Sequence, residues 1–158
     1  MAINFIRIDD RLIHGQVVVA WSKFYHAGRI WIVDDEVAKD DFLTGVLKMV
    51  APSGIELVIT GTEGAAEKIA DYESGSKNTM ILVKSPMTAQ TLFDAGLGVK
   101  ELNVGGMGAN SKRKALYKNI SASDEELVVL RELEGRGMKV YFQATPTDRQ
   151  VLLSDAKK

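Results

Sequence analysis

Short runs of β-branched and aromatic residues alternate along the chain with longer stretches whose apolar positions recur every three or four residues. Residues 3–8, 29–33, 55–60, 79–83, 101–104 and 139–143 are each short, apolar and bounded by Gly, Asp, Ser or Pro, so they predict strands. Helical spacing predicts helices over residues 15–25, 37–49, 63–72, 89–95 and 124–136, with a last short helix over 148–154. In the first helix Val17, Trp21 and Phe24 make one face, widened by Val18 and Tyr25. Ser123 followed by Asp124, Glu125 and Glu126 supplies an N-cap and an acidic first turn, and Gly135 and Gly137 end that helix. Residues 111–121 fit this alternation least well, and 117–120 are expected to add a short edge strand.

Strands alternating with helices predict an α/β fold: a doubly wound, mostly parallel β-sheet of about six or seven strands with helices on both faces. Right-handed crossovers then gather the strand-to-helix loops at one end, and ligands of such sheets bind outside the carboxyl ends of the strands. The length of 158 residues and the absence of a repeat or Pro/Ser-rich linker predict a single domain over 1–158.

Composition narrows the function classes. Twenty basic residues against twenty-one acidic ones give a formal charge of −1, which lacks the basic excess of a nucleic-acid-binding or membrane-adhering protein. There is no cysteine, so disulfides, thiolate metal sites and cysteine nucleophiles are excluded. The N-terminal segment enters a strand-like pattern without the features of a signal peptide, and no apolar run approaches the roughly 20 residues of a membrane span. These features predict a cytoplasmic protein without membrane insertion.

The most informative loop follows the first strand and reads Arg7-Ile8-Asp9-Asp10-Arg11-Leu12-Ile13-His14-Gly15-Gln16-Val17. A histidine just before a helix start lies beside the unpaired amides of Gly15, Gln16 and Val17, which favour an anion near the ring. Arg11 adds a planar fork suited to phosphate oxygens. The set suits an imidazole that attacks a phosphoryl group and holds it as phosphohistidine. The same spacing fits a surface histidine that only caps a helix, and it also fits an anion- or nucleotide-binding module without phosphohistidine chemistry. His26, near the end of the same helix, reads as a structural residue that favours the helix dipole.

Two other strand ends are polar, Val33-Asp34-Asp35-Glu36 and Asn103-Val104-Gly105-Gly106-Met107-Gly108. The glycines lack the spacing of a dinucleotide fingerprint, and no phosphate loop is present. Asp9-Asp10 with Lys84 also invites comparison with a response-regulator receiver. However, the third strand closes on Thr60-Gly61, where a receiver needs an aspartate. Two histidines and scattered acids form no ligand spacing, so no metal site and no cofactor are predicted.

Arg7–Val17 closely resembles the active-site segment of the enzyme IIB component of sugar phosphotransferase systems, mannose/fructose/sorbose class. Residues 32–38 and 102–107 resemble its second- and fifth-strand loops, and the likeness runs along nearly the whole chain. The resemblance implies a phosphotransferase that accepts a phosphoryl group from a histidine of a IIA component. It then passes that group to a sugar presented by membrane IIC and IID components, at the inner face of the membrane. Carried over residue by residue, His14 is the phosphorylated histidine, loaded on Nδ1, and Arg11 is the phosphate-binding arginine. Asp9, Asp10, Asp35, Gly105 and Gly106 fall in matching motifs as a supporting loop set, and an acid there is expected to orient Arg11 or the imidazole.

Overall fold

The computed structural model describes residues 2–156; Met1, Lys157 and Lys158, the ends of the predicted domain, lie outside the described residues. The strands are β1 (Ile3–Asp9), β2 (Arg29–Val33), β3 (Glu56–Thr60), β4 (Thr79–Val83), β5 (Glu101–Gly106), β6 (Lys114–Tyr117), β7 (Ile120–Ala122), β8 (Lys139–Phe142) and β9 (Val151–Leu152). The helices are α1 (Gly15–Phe24), α2 (Asp35–Ala38), α3 (Asp41–Val50), α4 (Ala65–Ser74), α5 (Pro86–Asp94) and α6 (Asp124–Gly135). A seven-stranded sheet has the order β3-β2-β4-β1-β5-β8-β9, and β6 and β7 form a separate antiparallel pair. All pairs in the large sheet are parallel except β8 with β9. The expected doubly wound, mostly parallel architecture is therefore the one observed.

Strand residues alternate between two cores, as a period of two requires. Trp31, Val33, Ile81 and Val83 join the core under α4, α5 and α6. Ile30, Ile32, Met80 and Leu82 join the core under α1, α2 and α3. Burial on both faces explains why β1 and β4 read as nearly continuous apolar runs. β1 sends its chain to α1 on one face, whereas its neighbours β4 and β5 lead to elements packed on the other. Loops that part in opposite directions open a crevice at the carboxyl end of β1.

Three local expectations are corrected. The helix over 37–49 is two helices, because the Asp40 side chain accepts the Leu43 N–H and starts α3 afresh. The last helix over 148–154 is instead β9, paired antiparallel with Tyr141 and Phe142, followed by a 3-10 turn at Leu153–Asp155. Residues 117–120 are not a strand on the sheet edge; they span the turn of the β6–β7 hairpin. Lys118, at that turn, has a left-handed φ of 46°.

Candidate functional site

The site grows out of the end of β1. Asp9, the last residue of the strand, is fully buried, and its carboxylate gathers three side chains. Arg7 Nη2 donates to Asp9 Oδ2 at 3.1 Å, and Arg11 donates from Nε to Oδ1 at 2.9 Å and from Nη2 to Oδ2 at 3.1 Å. His14 Nε2 lies 2.9 Å from Asp9 Oδ2. A carboxylate only accepts, so this contact puts the proton of a neutral ring on Nε2 and leaves the lone pair on Nδ1. Nδ1 has no hydrogen-bond partner among the described residues.

The loop between Asp9 and His14 is pinned from below. Leu12 and Ile13 are buried in the α1-side core, and the Leu12 N–H returns to the Asp9 carbonyl at 2.9 Å. That tight turn places Leu12 at φ 58°, a left-handed conformation uncommon for a leucine. His14 then takes extended angles as the N-cap of α1, without using its side chain as a cap. Gly15 follows with φ 52°. The Gly15, Gln16 and Val17 amides therefore open the helix beside the ring, and no side chain satisfies them as a cap.

Electrostatics hold the hub charged. Burial drives the Asp9 carboxyl upward, but hydrogen bonds from Arg11 and His14 and the charge of Arg7 outweigh it, so Asp9 sits below its ordinary value. Burial lowers the Arg7 guanidinium, and the Asp9 charge opposes that fall. Arg7 is 1% exposed; it donates from Nη1 to Asn103 Oδ1 at 2.6 Å and to the Gln143 carbonyl at 3.0 Å. Its Cζ also lies 5.6 Å from the centre of the Trp21 ring. Arg11, by contrast, keeps 54% of its side chain exposed, and contact with Asp9 raises its pKa.

The glycines at the end of β5 make this packing possible. A Cβ on Gly105 would lie 1.9 Å from Arg7 Cζ, and one on Gly106 would lie 2.5 Å from Asp9 Oδ1 and 2.8 Å from Arg11 Nη2. Gly105 and Gly106 thus admit the hub side chains against the backbone. Asp10 faces the other way. Its carboxylate accepts from the Gly108 N–H at 2.8 Å and from Arg113 Nη1 at 3.0 Å. Arg113 forks onto the Glu126 carboxylate at 2.8 Å through both Nε and Nη2, which ties the loop after β5 to the start of α6.

Of the residues singled out in the sequence, Asp9, Arg11 and His14 meet directly, and Gly105 and Gly106 line their backs. Asp10 supports the neighbouring loop. Asp35 makes no contact with this hub: its carboxylate accepts the Thr62 N–H at 2.7 Å and the Thr62 hydroxyl, holding α2 to the loop after β3. Arg7, Asn103, Gln143 and the Arg113–Glu126 pair were not assigned roles from sequence. The signal for Arg7 was a charge at an interior position of an otherwise apolar central strand, where only a buried partner sustains it. Among the described residues, no cluster of three or more His, Cys, Asp or Glu side chains is arranged to hold a metal ion, and no helix is long and apolar enough to cross a membrane.

Comparison with known proteins gives one consistent result. Residues 3–157 match the model of the sorbose subfamily IIB component of the PTS system. The chain is 34% identical over 148 residues to the sorbose-specific EIIB component of Lacticaseibacillus casei, covering 94% of this chain and 90% of that one. It is 29% identical to the mannose-specific EIIAB component of Escherichia coli K12, spanning 98% of this chain but 48% of that protein. The crystal structure of the IIBSor domain of the sorbose permease from Klebsiella pneumoniae superposes with a TM-score of 0.90 at 32% identity, covering 96% of this chain and 93% of that one. A family match along nearly the whole chain, joined to an α/β fold shared with solved IIB domains, shows that this chain belongs to the PTS sorbose-subfamily IIB components of the mannose/fructose/sorbose class, transferases of sugar phosphotransfer.

Proposed function

We propose that this chain is a phosphocarrier in which His14 Nδ1 accepts a phosphoryl group from a phosphorylated histidine of a IIA component. It then delivers the group to a sugar held by membrane IIC and IID components, at the cytoplasmic face of the membrane. The observation that carries this reading is the Nε2 contact to buried Asp9, which puts the neutral ring's proton on Nε2 and leaves its lone pair on Nδ1. In the loading step the N–P bond of the donor breaks as the Nδ1–P bond of His14 forms. Phosphoryl transfer through a loose transition state asks chiefly for alignment and for stabilisation of the equatorial oxygens. Asp9 aligns the ring, while Arg11 and the amides of Gly15, Gln16 and Val17 stabilise those oxygens. Asp10, Gly105 and Gly106 keep the surrounding loops in place, and 1–158 acts as one unit without cofactor or metal.

The test is transfer of ³²P from phosphorylated IIA. The wild-type chain is expected to acquire acid-labile, base-stable label, His14→Ala to acquire none, and His26→Ala to label normally. Equal labelling of His14→Ala and wild type overturns the assignment. Binding of IIA without any acid-labile label would favour an anion-binding module.

A further inference from the structure

A cavity of about 540 Å³ opens beside Arg11, between the end of β5, the β6–β7 hairpin and the loop after β8. Its size falls within the span of small-molecule sites. The wall combines apolar and hydrogen-bonding surface. Val104, Ile120 and Phe142 contribute apolar atoms, and the Tyr117 ring stacks on Phe142 with centroids 4.7 Å apart. Such a mixture suits a ligand with both C–H faces and hydroxyls.

The charges around the cavity are unbalanced. Arg11, Lys118 and Arg149 reach it from three different loops. Neither Lys118 nor Arg149 forms an ion pair among the described residues; Lys118 Nζ lies 5.5 Å from the centre of the Tyr117 ring. Arg11 is paired with Asp9 and Asp10 with Arg113, so neither adds to the balance. Asp148 accepts the Thr145 N–H at 3.0 Å, a contact that leaves its negative charge in place. Lys118 and Arg149 against Asp148 therefore leave the cavity with one surplus positive charge in a chain whose formal charge is −1. Lys118 also stands in the left-handed region, where glycine or asparagine would sit with less strain, so the hairpin keeps a long cation over the cavity at a conformational cost.

We propose that this cavity binds a phosphorylated sugar, the product class of the transfer, and that its occupancy hinders reloading of His14. The phosphate faces Arg11 and the hairpin and β8-loop cations, and the sugar body lies against Tyr117. Arg11 bonds Asp9, which bonds His14, so a phosphate on Arg11 occupies the donor needed by an incoming phosphoryl group. The proposal rests on the phosphocarrier reading for its consequence, but binding itself does not require His14 chemistry.

The experiment is titration of the ¹⁵N-labelled, unphosphorylated chain with mannose 6-phosphate, with mannose and inorganic phosphate as separate arms. The sugar phosphate is expected to shift amides of residues 105–108, 117–120, 143–145 and 147–149. It should bind roughly tenfold more tightly than either fragment, and Lys118→Ala or Arg149→Ala should weaken it by about tenfold. Equal affinity for inorganic phosphate, shifts confined to residues 11–17, or unchanged binding in both variants overturns the proposal. The same ligand should slow labelling by phosphorylated IIA in the wild type, and the Lys118→Ala/Arg149→Ala double variant should resist that inhibition. Labelling unaffected by bound ligand would overturn the inhibitory role. Absence of any labelling without ligand would instead count against the phosphocarrier reading, leaving the binding result intact.

Discussion

Replacing Asp9 by asparagine keeps the volume and one carbonyl oxygen at the centre of the hub and removes its charge. The loss falls unevenly on the three partners. Arg11 is half in solvent, where water screens it, and such exposed pairs contribute only about 0–1 kcal/mol. Arg7 has 1% of its side chain exposed and cannot recover hydration, so its charge is left buried without a counter-ion. Breaking a buried pair in this way costs about 3–5 kcal/mol. Arg7 retains its bonds to Asn103 and the Gln143 carbonyl, which places the expected loss near ~3 kcal/mol. For a domain of this size that corresponds to a fall in Tm of about 6–12 °C. Urea denaturation of Asp9→Asn, Arg7→Met and the double variant measures it directly. The double variant should be less damaged than the sum of the singles, because it removes both charges together. A single Asp9→Asn variant within about 1 kcal/mol of wild type at unchanged m-value, or additive singles, would refute the hub as described.

Three further outcomes are expected. Asp9 and Glu126 both sit below their ordinary values, so their contribution to stability is complete above the ordinary values, begins to fall below them and is gone once pH drops through the lowered ones; urea midpoints should be level above about pH 5.5 and decline below it, and a midpoint that rises between pH 5 and 3 would contradict the assignment. Arg11→Lys should slow single-turnover phosphoryl transfer by roughly tenfold or more despite its unchanged charge, since an ammonium cannot align two oxygens; a normal rate would leave Arg11 only an attractive charge. His26 occupies the left-handed position that closes α1, with its N–H on Lys23 O and the Ala27 N–H on Ser22 O. His26→Gly should therefore raise stability by up to about 1 kcal/mol in thermal melts, and a loss would show that the imidazole has a packing role.

The sheet was legible because its central strands are covered on both faces, which writes short, nearly continuous apolar runs into the chain, as in β2 and β4. The direct partners Asp9, Arg11 and His14 were legible because they share one continuous loop whose spacing carries its own geometry. What could not be read are contacts that exist only after strands come into register. Arg7 meets Asn103 because β1 pairs with β5 at those two residues, and nothing local to either announces the other. The clash that excludes a side chain at Gly105 depends on the same pairing. The break between α2 and α3 was missed for the opposite reason. Apolar spacing continued through Lys39 and Asp40, and a purely local cap overrode it.

The last strand is two residues long, runs antiparallel to β8 and is followed at once by a 3-10 turn. A parallel sheet ending on β8 would leave a row of unpaired backbone groups open to any extended chain. β9 covers Tyr141 and Phe142 and then offers too short a rim for another strand to extend. Lateral growth of the sheet into aggregates is blunted there.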